Sequence, residues 1–178
     1  AVLQRLMWQD YVVINFGNSG KTMRNDLGNN YTGTTQHAAF LKMLKNIDLT
    51  LVMLGTNDSH FDSGVWTDDD DNSYFMAAFQ LCRAMRTVNP DMEITIMNCP
   101  VYYGSGTSGS AHVRNLQAEL PEYLNDKGIA GVMLCDMHTF TAEYLGYGCF
   151  PDQLHPNDIG YSIMASGLAE VIDEMIAG

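Results

Sequence analysis

The chain has 178 residues, 46% of them hydrophobic, which suffices for one sizeable core and fits a single domain over residues 1–178 rather than two. Nine Lys and Arg against 21 Asp and Glu leave a formal charge of -12, a field that repels phosphate backbones and anionic bilayers, so nucleic acid is not an expected partner. No stretch approaches the roughly 20 apolar residues needed to span a bilayer, and no basic segment leads into an apolar run, so no membrane partner is expected either.

Val2, Leu3, Leu6 and Met7 recur at helical spacing, and Tyr11-Val12-Val13-Ile14-Asn15-Phe16 is rich in β-formers, which predicts a helix feeding a strand. Because the chain opens at Ala1 without Met, the start of the gene product is expected ahead of it. Ala38, Leu41, Met43 and Leu44 predict a second helix, followed by Ile47 to Leu54, an almost continuous apolar run of the kind buried on both faces. Phe75, Phe79, Cys82 and Met85 mark a third helix stopped by Asn89-Pro90, and Glu93 to Met97 form the next strand. A helix around Ala111 to Asn125 ends near Gly128, Gly131 to Cys135 is the fourth strand, and Met164, Leu168, Val171 and Met175 line a last helix. Strands alternating with helices predict an α/β fold, a three-layer α/β/α sandwich around a central parallel sheet. Cys82, Cys99, Cys135 and Cys149 show no C-x-x-C spacing and are expected as buried free thiols, with a disulfide left open.

In such sheets ligands bind beyond the carboxyl ends of the strands, and three polar clusters expected there carry chemistry. Asp152-Gln153-Leu154-His155-Pro156 places an acid and an imidazole three residues apart, the separation at which a carboxylate can hold Nδ1 and leave Nε2 to take a proton. The same Asp also suits an ordinary turn cap. Gly55-Thr56-Asn57-Asp58 follows an apolar strand, and a side-chain amide there can donate to a developing oxyanion, although an Asx-turn explains it equally. Asn15 to Thr22 follows the Tyr11 to Phe16 strand. Gly20-Lys21-Thr22 matches the end of a phosphate loop, but Asn15 stands where that motif needs its first glycine; the other reading makes the Gly20 N–H an oxyanion donor.

In this order and spacing the clusters resemble the SGNH hydrolases, the GDSL-type esterases and lipases, over nearly the whole chain. The resemblance implies a flavodoxin-like fold in which Gly20 and Asn57 form the oxyanion hole, while Asp152 and His155 form the D-x-x-H-P pair that Gly160-Tyr161 follows. The Gly-Asp-Ser block that supplies the family's nucleophile is not among these residues. It is expected upstream of Ala1, on a strand lying between Tyr11–Phe16 and Ile47–Leu54. Ser19 is not assigned that role, and Ser105, Ser108 and Ser110 read as a flexible loop.

His60 and Tyr102, with Trp66 and Tyr103, are candidates to line a substrate pocket, or else they pack under long loops. Asp68 to Asp71 reads as a solvated run capping a helix rather than a calcium loop, and His37, His112 and His138 as surface or satisfied histidines. The resemblance implies a serine esterase acting on small acyl or O-acetyl esters, with carbohydrate esters favoured, no metal or other cofactor, and a leaning toward a secreted or cell-surface setting. The rivals are a glycan-binding module without catalysis and a nucleotide-binding protein.

Overall fold

The computed structural model describes Leu3, Met7 and residues 11–60, 73–101 and 107–177. They fall into two compact units. The first comprises Phe16–Cys99 with Ser108–Cys135, the second Ala1–Asn15, Pro100–Thr107 and Asp136–Gly178.

The first unit holds a three-stranded parallel sheet in the order β1 (Leu49–Val52), β2 (Glu93–Met97), β3 (Val132–Cys135). Leu49 pairs with Glu93 and Val52 with Ile96; Ile94 pairs with Val132 and Met97 with Cys135. Helix α1 (Thr35–Met43) leads through a 3-10 turn to β1, α2 (Tyr74–Val88) joins β1 to β2, and α3 (Thr107–Asp126) joins β2 to β3. Four residues of the central strand, Ile94 to Met97, are buried in succession because both faces of a parallel sheet are covered.

Helix α2 shows how sequence becomes structure here. The Ser73 hydroxyl caps it by accepting from the Met76 N–H at 3.0 Å, and the chain leaves it at Asn89, before Pro90, which cannot continue a helix. Its Phe75, Ala78, Cys82 and Met85 recur at helical spacing and join Leu44, Ile94, Ile96, Leu120 and Leu124 in the core. Each large side chain so buried stabilises the fold by about 1.5–3 kcal/mol relative to exposure. Asn89 Nδ2 then donates to Leu44 O at 3.0 Å and Ile47 O at 2.8 Å, tying the end of α2 to the approach to β1.

The second unit contains α4 (Met137–Tyr144), a 3-10 turn at Tyr147–Cys149, and α5 (Asp158–Ala177). The Asp136 carboxylate caps α4 through the Thr139 N–H, and Met164, Leu168 and Ile172 form the buried stripe of α5. No helix among the described residues is long and apolar enough to cross a membrane.

The sequence expectations need correcting in four places. Tyr11 to Phe16 forms no strand: although β-prone, it has no ladder partner among the described residues, and Val12 is 86% exposed. Among the described residues the sheet therefore has three strands rather than four. Ser108 and Ser110 lie in the first turns of α3, which starts ahead of the expected Ala111, so they belong to a helix and not to a flexible loop. Helix α4 was not anticipated, since its short, mixed sequence has little apolar periodicity. His37 is only half satisfied: its Nδ1 lies 2.9 Å from Thr32 O, but its buried Nε2 has no partner among the described residues. The residues at Ser105 and Asp68 to Asp71 lie outside the described ones.

Candidate active site

In the second unit, Asp152 uses its two oxygens for two tasks. Oδ1 accepts the backbone N–H of Leu154 at 3.0 Å and of His155 at 2.6 Å, closing a turn in which Gln153 takes a left-handed φ of 67°. Oδ2 lies 2.7 Å from His155 Nδ1. The turn cap and the acid–imidazole pair, alternatives on sequence grounds, are thus both present. The ring donates to Oδ2 when Nδ1 carries the proton, the tautomer that leaves Nε2 as a proton acceptor. The His155 ring, and then the His155 and Leu154 N–H groups, hold the Asp152 carboxyl well below the usual carboxylate range. Both side chains are exposed, at 64% for His155 and 55% for Asp152.

The rest of this loop is braced by Asn157. Its N–H donates to Cys149 O at 2.7 Å, its Nδ2 to Gly148 O at 3.1 Å, and its Oδ1 accepts the Gly160 N–H at 3.0 Å, capping α5. The imidazole therefore stands between a tight turn and a pinned helix start.

In the first unit, the segment after β1 and the loop around Gly20 come together. Asn57 Nδ2 donates to Lys21 O at 3.0 Å, and the carboxylate of Asp58 accepts the N–H of Met23 and of Arg24, each at 2.9 Å. Burial pushes the Asp58 carboxyl up from its ordinary range, and those two N–H bonds with the Arg24 charge offset part of that rise. Gly20 has a φ of 74°, which only glycine adopts without strain, and open space where a side chain would stand. The neighbouring Asn18 donates to Gln36 Oε1 at 2.8 Å and Tyr31 donates to Phe16 O at 3.0 Å, so the approach to Gly20 is tethered at two points.

Gln117 and Tyr74 carry part of this arrangement that sequence reasoning missed. Gln117, fully buried on α3, donates through Nε2 to Leu54 O at 2.7 Å and accepts the Cys99 N–H at 2.9 Å, while Tyr74 donates to the same Leu54 O at 3.0 Å. They clamp the chain where it leaves β1 and β2. Gly55 fits between them with a φ of 132°, and a Cβ there would meet Gln117 Nε2 at 2.8 Å and Val113 at 2.9 Å. The signal in the sequence was a glutamine inside the apolar stripe Val113, Leu116, Leu120, Leu124.

Of the expected pocket residues, His60 closes a 3-10 turn at Asp58–His60, and Tyr102, with Trp66 and Tyr103, lies outside the described residues. The phosphate-loop reading loses support. Thr22 is buried with its hydroxyl on Arg24 O at 3.1 Å, and the residues that follow form turns where such a loop runs directly into a helix.

Residues 1–163 match the family described as GDSL-like lipase/acylhydrolase, and the chain belongs to that family, which places it among esterase-type hydrolases. Among solved structures, a protein from Lactobacillus plantarum is 19% identical, with 97% of this chain and 87% of that one covered at a TM-score of 0.64. A carbohydrate esterase of family 3 from Talaromyces cellulolyticus is 18% identical over 90% of this chain and 70% of that one, at 0.63. A family 3 carbohydrate esterase from Clostridium thermocellum is 16% identical over 98% and 85%, at 0.62. At such identities the likeness establishes the α/β fold with its central parallel sheet. No curated protein matches the sequence.

Proposed function

We propose that this chain carries the proton-transfer and oxyanion-binding parts of a serine hydrolase that removes small acyl groups, acetyl foremost, from carbohydrate alcohols. The observation that carries the reading is the 2.7 Å contact between Asp152 Oδ2 and His155 Nδ1. In this mechanism a serine hydroxyl, expected from the family's Gly-Asp-Ser block, attacks the ester carbonyl while His155 Nε2 takes its proton. The carbonyl oxygen becomes an oxyanion held by the Gly20 N–H and the Asn57 amide, and Asp152 stabilises the imidazolium. Collapse expels the alcohol, which takes the proton from His155; water, deprotonated by the same imidazole, then releases the carboxylic acid and restores the serine. The Asn57 amide can serve because only one of its two hydrogens is needed for Lys21 O.

Carbohydrate esters are proposed because two of the structural relatives bear the name carbohydrate esterase. The experiment is hydrolysis of p-nitrophenyl acetate and of acetylated xylan by the intact gene product, compared with its His155→Ala variant. Turnover of both substrates, lost in the variant, supports the reading. Near-normal turnover by the variant rejects it, and hydrolysis of the phenyl ester alone rejects the carbohydrate part.

A further inference from the structure

Asp58 has no solvent exposure and is followed by no cation of its own segment; its partners come from the stretch just after Gly20. A buried carboxylate is costly unless its oxygens meet donors. Here each oxygen meets one: Met23 N–H lies 2.9 Å from Oδ2 and Arg24 N–H 2.9 Å from Oδ1. Only a carboxylate can accept on both sides, because an amide in the same place turns an NH₂ group against one of the two N–H donors.

Next to Asp58, Asn57 Nδ2 holds Lys21 O. On the other side of the junction, Lys21 and Gly20 precede Met23 and Arg24 with only Thr22 between them. Three hydrogen bonds thus join the two loops, and the adjoining Ser59 locks the turn from within, through its N–H to Gly55 O at 3.1 Å and its hydroxyl to Thr56 O at 2.6 Å.

We propose that Asp58 is a positioning residue for oxyanion stabilisation, fixing the Gly20 N–H and the Asn57 amide relative to each other before substrate arrives. This rests on the esterase reading of the same loops. Donors placed in advance need not reorganise as charge develops on the carbonyl oxygen, and a displacement of about 1 Å costs on the order of 10²-fold in rate. Both Asp58 oxygens are taken up by the Met23 and Arg24 N–H groups, so in this proposal its effect falls on the transition state and spares ground-state binding.

The test uses the intact enzyme with p-nitrophenyl acetate, and phenylboronic acid as an inhibitor whose tetrahedral adduct presents an oxygen anion to the same donors. Asp58→Asn should lower kcat by about 10–10²-fold with KM within about threefold, and weaken phenylboronic acid by a similar factor. In an Asn57→Ala background the same change should cost clearly less, because one of the donors it positions is gone. Where circular dichroism shows that Asp58→Asn does not fold, Asp58→Ser removes the carboxylate without forcing an amide against the two N–H groups and carries the same test. Unchanged kcat, full additivity with Asn57→Ala, or loss of fold in both variants overturns the proposal. Absence of ester hydrolysis in the unmodified enzyme would instead remove the esterase reading on which it rests.

Discussion

The loop bearing Asp152 and His155 follows the exposed turn Tyr147–Cys149, and the loop bearing Asn57 and Asp58 follows the half-buried strand β1; the two are assembled from different distances. The Asp152 bonds reach two and three residues along the chain, and the side chains stand 64% and 55% in solvent. The bonds of Asn57 and Asp58 reach 34 to 36 residues, and Asp58 has no exposure at all. A short, exposed turn is written into its own sequence and can be altered with little cost to the fold. A buried junction exists only once two distant segments have packed, so its alteration reaches further.

The largest effect on activity belongs to the exposed loop. His155→Ala is expected to reduce kcat for p-nitrophenyl acetate by at least about 10⁴-fold with a melting temperature close to the parent, since the side chain stands 64% in solvent. A cooperative loss of structure in this variant would erase the contrast between the loops. Asp152→Asn comes next. The amide oxygen can still accept the Leu154 and His155 N–H groups, so the turn survives while the ring loses its carboxylate, and kcat should fall by about 10³–10⁴-fold. Asn57→Ala should cost about 10²–10³-fold in kcat, the usual consequence of losing one oxyanion donor, together with a measurable drop in melting temperature from the orphaned Lys21 carbonyl.

Leu120→Ala, beneath Gln117 in the fully buried stripe of α3, should destabilise the fold by about 2–5 kcal/mol in urea denaturation while leaving the kcat of the folded fraction nearly unchanged. The smallest effect concerns the thiols. Burial pushes Cys82 up to about 12 and Cys99 up to about 11, so neither should react quickly with a thiol reagent at pH 8 in the folded protein. The partly exposed Cys149 should react first, and all four cysteines only in denaturant.

Periodicity and punctuation carried far in this sequence. The strand Glu93–Met97 lies where β-rich residues after Asn89-Pro90 put it, and α2 is legible from its apolar spacing and its Pro90 stop. The pair Asp152 and His155 was legible because its spacing is that of a single turn. Tyr11 to Phe16 is the opposite case: its residues favour a strand, but a strand is a property of two chain segments, and no described neighbour offers it a ladder.

What the sequence determined by itself is therefore whatever is settled within a few residues, namely the apolar runs, the helix caps and the Asp152–His155 turn. What only the tertiary structure decided is the pairing of Asp58 with Met23 and Arg24, the clamp of Gln117 and Tyr74 on Leu54, and the fitting of Gly55 between them. Those contacts join residues whose own neighbours carry no sign of the partner, and their hydrogen bonds become worth forming only when packing has already removed the water that would otherwise satisfy them.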